Sequence, residues 1–223
     1  MMLTLVQTPW RAAARSKLRR SLYDSYFKRM ADILLVLVIL PLTLPLCSVL
    51  WLAVRLDGGP GLYRQARIGR DGRVFYCLKL RSMRIDAKEA LARHLAASPA
   101  ALAEWQRERK LKSDPRVTRL GRFLRRSSLD ELPQIWNILR GDMSIVGPRP
   151  VVRDELALYG PVLPDYLAGR PGLTGLWQVS GRNGVSYDAR VGLDREYRRS
   201  VSLWLDLTIM ARTVAVLLRG TGC

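Results

Sequence analysis

Apolar positions are distributed very unevenly along this chain. Residues 33 to 54, ILLVLVILPLTLPLCSVLWLAV, carry no charge, and the stretch just exceeds the roughly 20 residues that a bilayer-crossing helix needs. Pro41 and Pro45 lie in its middle, where each removes a backbone donor and clashes with the preceding turn. Both flanks are basic. Arg11, Arg15, Lys17, Arg19, Arg20, Lys28 and Arg29 precede the run, and Arg55, Arg64, Arg67, Arg70 and Arg73 follow it. A spanning helix would leave one of these clusters on the far side. A re-entrant helix broken near Pro41 or Pro45 keeps both on one face, which the positive-inside tendency favours. The pattern therefore predicts re-entry over a plain anchor. A cleaved signal peptide fits poorly, because the run is longer than an h-region of about 7–15 residues.

The remaining sequence reads as short elements divided by breakers. Asp57-Gly58-Gly59-Pro60-Gly61 ends the membrane run. Strands near 62–68 and 73–80, joined through Gly69-Arg70-Asp71-Gly72, predict a β-hairpin. Asp86 opens a helix to about Ala97, and Ser98-Pro99 starts a second one with proline at its first position. Asp114-Pro115 breaks again. The segment from Val201 to Leu218 fits either a buried terminal helix or an interfacial one with Trp204 at headgroup level. Residues 9 to 30 read as a basic helix leading into the membrane.

Charge narrows the chemistry. Lys and Arg number 37 against 19 Asp and Glu, a formal net charge of +18, which calls for anionic partners such as lipid headgroups or phosphorylated substrates. Nucleic acid would match the charge, but it leaves the uncharged run unexplained and no binding motif is present. Cys47, Cys77 and Cys223 have no paired spacing and read as reduced thiols of a cytoplasmic setting. His94 is the only histidine and lies on a polar stretch, which argues against a Ser-His-Asp triad or multi-histidine metal site. Chemistry must run on carboxylates, hydroxyls, Lys and Arg, with any metal held by oxygen.

Such a constellation lies in residues 120 to 150, LGRFLRRSSLDELPQIWNILRGDMSIVGPRP. Pro133 belongs in a first helical turn, so a helix is expected to begin near Leu129 or Asp130. Asp130 and Glu131 would then sit where unpaired N–H groups and the positive dipole end favour anions. Ser128 to Glu131 also matches a capping box, and on that pattern alone capping and catalysis both stand. Arg125, Arg126 and Arg149 bracket the pair, supplying the planar bidentate cations that a diphosphate needs. An Asp nucleophile beside a Glu on Mg²⁺ suits phosphoryl transfer through an aspartyl intermediate.

Several longer motifs point the same way. They are Phe75-Tyr76-Cys77-Leu78-Lys79-Leu80-Arg81-Ser82-Met83, Ser128-Leu129-Asp130-Glu131-Leu132-Pro133-Gln134, Asn137, Gly141-Asp142-Met143-Ser144, Gly147-Pro148-Arg149-Pro150, Arg170-Pro171-Gly172-Leu173-Thr174-Gly175 and Trp177-Gln178-Val179-Ser180-Gly181-Arg182. In this order, from about Lys28 to the C-terminus, they resemble the bacterial sugar transferases, the monotopic phosphoglycosyl transferases of glycoconjugate assembly. The resemblance implies transfer of a sugar-1-phosphate from a UDP-sugar to undecaprenyl phosphate through a phosphosugar-aspartyl intermediate, with release of UMP. Galactose- or glucose-1-phosphate is the sugar that the closest-looking exopolysaccharide-initiating members imply. By the same resemblance Asp130 is the nucleophile, Glu131 the Mg²⁺ ligand, Arg125 and Arg149 hold phosphoryl groups, and Lys79 is a basic site residue. The resemblance further implies a re-entrant helix broken at a proline, location at the cytoplasmic face of the bacterial inner membrane, and downstream glycosyltransferases as possible partners.

Other positions stay open between site and scaffold. Arg170 and Arg182 lie in glycine-rich turns, facing donor or lipid phosphate or only solvent. Gln134 and Asn137 share a helix face with the acidic pair, for substrate or for hydrogen bonds within the fold. Trp177 reads as core in preference to a uridine-stacking platform, and Asp142 as a turn residue. The expected architecture is α+β, mainly helical and monotopic, with a re-entrant N-terminal helix, a small β-hairpin and interfacial amphipathic helices. Residues 1–30 form a basic segment, 31–56 the membrane helix and 57–223 a cytoplasmic catalytic domain. The rival reading is a non-catalytic membrane adaptor whose basic surface binds lipid or a partner.

Overall fold

The computed structural model describes residues 21–108, 111, 113–181 and 185–218. A π-helical turn, Tyr23–Phe27, runs directly into helix α1, Lys28–Leu56. The helix passes both prolines without interruption, so the break expected near Pro41 or Pro45 is corrected to a continuous helix that starts at Lys28. Two prolines cost the carbonyls of Leu37 and Pro41 their usual donors, yet the flanking turns hold. Thr43 Oγ1 donates to the Ile39 carbonyl at 3.0 Å and Ser48 Oγ to the Leu44 carbonyl at 2.9 Å, back-bonds that accompany bending rather than rupture. Within the basic N-terminal segment, residues 1–20 lie outside the described residues.

The helix is buried at its two ends and bare in its middle. Lys28, Asp32 and Val36 are buried, with Ile39 and Leu40 packed behind them on Phe75, Cys77, Ile135, Ile138 and Met143. Toward the other end, Val54 is buried with Cys47 and Leu50 against Leu80 and Leu124. Between these contacts Leu42 and Leu44 are 77% and 59% exposed, and Pro41, Pro45 and Leu46 are also exposed. With 3.6 residues per turn, all the buried positions fall within roughly 120° of one face, and Pro41 and Pro45 lie on the opposite one. Polar bonds fix the first turns. Lys28 pairs with Asp206, Arg29 caps the Ile138 and Leu139 carbonyls, and the Asp32 carboxylate accepts from Ile145 N at 3.0 Å.

The expected hairpin is present. Strand β1, Leu62–Ile68, pairs antiparallel with β2, Val74–Leu80, with Tyr63 opposite Lys79 and Arg67 opposite Phe75. The turn uses left-handed backbone at Asp71 and Gly72. Helices α2, Ala87–Ala97, and α3, Pro99–Glu108, start where Asp86 and Pro99 predict. Asp86 makes no side-chain cap bond; its carboxylate is taken by Arg84 and Arg93. Next come α4, Arg119–Arg126, a 3₁₀ turn at Leu129–Glu131, and α5, Gln134–Arg140. Strand β3, Ser144–Val146, pairs in parallel with β4, Gly172–Thr174, across a 3₁₀ segment, Arg153–Val162, and helix α6, Leu163–Leu167. Helices α7, Leu176–Val179, α8, Tyr187–Ser200, and α9, Leu203–Leu218, complete the described chain.

Helix α9 combines both readings offered for it. Ile209 and Asp206 are buried, whereas Trp204 is 78% exposed along with Leu203, Leu207 and Val214. The glycine motifs have a steric cause. Gly147 N donates to Thr174 O and Gly172 N to Pro148 O, at 2.9 and 2.8 Å. A Cβ at Gly147 would come within 2.6 Å of the Arg170 carbonyl. Only bare backbone allows the two proline-containing loops to pair this closely, and that pairing fixes the loop carrying Arg149.

Candidate active site

The acidic pair lies between α4 and α5. Ser128 adopts left-handed backbone and makes no side-chain cap bond, so the capping-box reading of Ser128–Glu131 is corrected. With the serine at φ 58°, its side chain is not in the extended N-cap geometry that reaches the N3 amide. The carboxylates are left for other partners. Glu131 Oε1 receives Lys79 Nζ at 2.6 Å, an ion pair with both side chains about a third exposed. Asp130 is buried, and desolvation pushes its carboxyl up to about 6. Lys79 and Arg125 pull it down, and Glu131 adds to the rise.

Each cation is positioned by a separate element. Lys79 stands near the end of β2. Asn137 ties that strand to α5, its amide accepting from Leu78 N at 3.0 Å and donating to Tyr76 O at 2.8 Å. Asn137 thus serves the fold, and Gln134, the first residue of α5, is likewise buried. Arg125 projects from α4 and donates Nε to Ser82 Oγ at 2.8 Å. Sequence reasoning missed the residue that permits this: Gly121, whose Cβ would overlap the Ser82 carbonyl. Its signal was a glycine inside a helix, a choice that costs about 1 kcal/mol relative to alanine unless something must approach closely.

The structure thus brings Lys79, Arg125, Asp130 and Glu131 together. Arg149 is carried on the loop that the Gly147–Thr174 and Gly172–Pro148 hydrogen bonds fix. Its guanidinium sits 5.5 Å from the centre of the Trp177 ring. Trp177 is 5% exposed, consistent with a core residue. Arg170 stands elsewhere, donating Nε to the Gly141 carbonyl at 2.8 Å and lining a polar crevice with Asp24, Lys28, Asp32 and Arg198. Asp142 faces Asn137 and Arg140 at the turn after α5. Arg182 lies outside the described residues.

For Mg²⁺ the donor set is sparse. Among the described residues no group of three or more His, Cys, Asp or Glu side chains could enclose a metal. Two adjacent carboxylates, one of them partly exposed, fit a Mg²⁺ ion completed by substrate phosphate and water, the usual arrangement for this ion at phosphoryl-transfer sites.

The site is a buried acid with a lysine–glutamate pair and Arg125 beside it, in a chain whose long N-terminal helix is apolar. A family profile described as "Bacterial sugar transferase" matches residues 23–220, and the chain belongs to that family. It is 50% identical over 197 residues to the undecaprenyl-phosphate galactose phosphotransferase of Salmonella typhimurium, covering 88% of this chain and 41% of the relative. It is 48% identical over 196 residues to the exopolysaccharide production protein ExoY of Rhizobium meliloti, covering 87% of each. The UDP-glucose:undecaprenyl-phosphate glucose-1-phosphate transferase of Caulobacter vibrioides is 42% identical over 200 residues, 86% of this chain and 69% of the relative. The chain spans about two-fifths of the length of the first of these relatives.

Proposed function

We propose that this protein transfers a sugar-1-phosphate from a UDP-sugar to undecaprenyl phosphate, with Asp130 as nucleophile. The observation that carries the reading is a buried aspartate set beside Lys79 and Arg125. The names of the relatives support undecaprenyl phosphate as acceptor and galactose or glucose as the sugar.

In the first step an Asp130 oxygen attacks the sugar-bearing phosphorus, a P–O bond forms, and the bond to the UMP oxygen breaks. UMP leaves with that electron pair. In the second step the acceptor phosphate attacks the same phosphorus and the Asp130 carboxylate departs, giving undecaprenyl-diphosphate-sugar. Arg125 and Arg149 orient the phosphoryl oxygens and offset their charge. Lys79 holds Glu131 until substrate arrives. Mg²⁺ held by Glu131 and the diphosphate would neutralise charge developing on the leaving group.

The shape of α1 supports re-entry. Both ends rest on one protein body while the middle stands clear, and its prolines lie on the outward, exposed face. The exposed apex around Pro41–Leu46 would dip into the inner-membrane leaflet, leaving both basic flanks at the cytoplasmic surface. Exposed Trp204 and Leu203 on α9 extend the same membrane contact. The relatives' names favour a transferase over the adaptor reading.

The test is release of UMP from a panel of UDP-sugars offered to the full chain in nanodiscs with Mg²⁺ and undecaprenyl phosphate. Lipid-dependent UMP is expected from UDP-galactose or UDP-glucose. Its absence with every donor would refute the reading.

A further inference from the structure

One group of cations remains without a role. Arg190 on α8 lies 4.4 Å from the centre of the Trp177 ring and 5.4 Å from that of Tyr187, and Arg149 lies over the same Trp177 ring. Both guanidiniums lack a carboxylate partner among the described residues, unlike Arg116 on Asp114 and Arg198 on Asp24. Arg149 Nε, Arg190 Nε, Trp177 Nε1 and the Tyr187 hydroxyl are all buried with no hydrogen-bond partner. Buried donors are normally satisfied, and several orphans in one neighbourhood mark a place where a ligand supplies the acceptors.

The surrounding charges agree. Asp194 Oδ2 accepts from Tyr159 at 2.7 Å, and its carboxylate also feels Arg190 and Arg149 without forming an ion pair with either guanidinium, while Glu155 receives Val152 N at 2.9 Å and sits 3.6 Å from Arg67. Arg67 also feels repulsion from Arg149. Since Trp177 is 5% exposed, a nucleobase would find no open ring face there. The missing partner is an anion with several acceptor oxygens.

We propose that Arg190, together with Arg149 and the Trp177 and Tyr187 donors, forms a phosphate subsite that takes a phosphoryl group other than the one attacked by Asp130. The ligand is a phosphate monoester or the second phosphate of a diphosphate, recognised by two guanidiniums and two neutral donors. Arg149 is also the arginine that the family resemblance assigns to the donor's phosphoryl groups, which would put the two phosphates on one substrate path. This inference rests on the transferase reading for the ligand's identity, but binding is measured without turnover.

The test uses the full chain in nanodiscs, titrated with UMP, with a short-chain polyprenyl phosphate, and with uridine as the phosphate-free control. Arg190→Gln should weaken at least one phosphate ligand about tenfold, the scale of one charged hydrogen bond, and leave uridine unchanged. Arg190→Lys should recover part of the loss, and Arg195→Gln, which removes a half-exposed arginine on the same helix that is paired with Asp165, should keep the parent affinity. The ligand that weakens identifies the source, nucleotide or lipid. If both phosphate ligands bind Arg190→Gln within twofold of the parent, the subsite does not exist. Should Arg190→Gln fail to fold, Arg190→Lys decides: a severalfold loss supports the fork of donors, and none overturns it. Because UMP release is assayed separately, either result can fail while the other holds.

Discussion

Replacing Asp130 by asparagine should stabilise this protein while disabling it, and only above a defined pH. Burial raises the Asp130 carboxyl from an ordinary 3.8 to about 6. Between those values the native state holds a proton that the unfolded chain has released, so wild-type stability falls as pH rises through that window. Above pH 6 both states are ionised and the full cost persists, roughly 3 kcal/mol from the size of the displacement. Asparagine resembles the neutral acid and has no titration. Metal-free thermal or denaturant unfolding at a series of pH values should therefore show the variant gaining on wild type from pH 4 to 6, then holding its advantage. A constant offset from altered hydrogen bonding would not mimic this, because the diagnostic is the slope of the difference. Asp114 is an opposite-sign control: burial opposes its charge, but the Arg116 bonds lower its pKa overall, so Asp114→Asn should fall behind wild type as pH rises toward 3.8 from below and hold a constant deficit above it. A difference between Asp130→Asn and wild type that is flat from pH 4 to 8 would refute the claim that Asp130 is held against its own desolvation.

Three other perturbations probe the supports of the site. Lys79→Gln removes a charge that lowers the Asp130 pKa, so the acidic limb of kcat/KM should move to higher pH; an unmoved limb would separate Lys79 from the nucleophile. Gly121→Ala drives a Cβ into the Ser82 carbonyl, which should cost about 1–3 kcal/mol as overpacking and displace Arg125. Intact stability and activity would show that α4 tolerates withdrawal. Asn137→Ala strands Leu78 N and Tyr76 O, and unfolding should show a loss of about 2–4 kcal/mol, with none expected if water replaces the amide.

What the sequence revealed and what it concealed divide along physical lines. The hairpin and the starts of α2 and α3 rest on local turn and cap chemistry, and they fall where those residues indicate. Lys79, Arg125, Asp130 and Glu131 were legible as chemistry, and the fold gathers them. The capping box failed because a serine-to-glutamate spacing does not report backbone sign, and Ser128 is left-handed. The proline break failed because a helix with partners along both halves retains its remaining hydrogen bonds. Gly121 and Arg190 were invisible for a shared reason. Their meaning lies in contacts with Ser82 and Trp177, distant along the chain, which no local pattern encodes.

The central claim is that Asp130 becomes covalently bonded to the donor's phosphorus. Intact-mass measurement of the protein after quenching with Mg²⁺ and UDP-sugar, acceptor withheld, tests it most directly. The expected result is a gain of one phosphosugar, localised by peptide mapping to Asp130 and lost when polyprenyl phosphate is added. Rapid product formation with no such adduct, or undiminished turnover by Asp130→Asn, would contradict it.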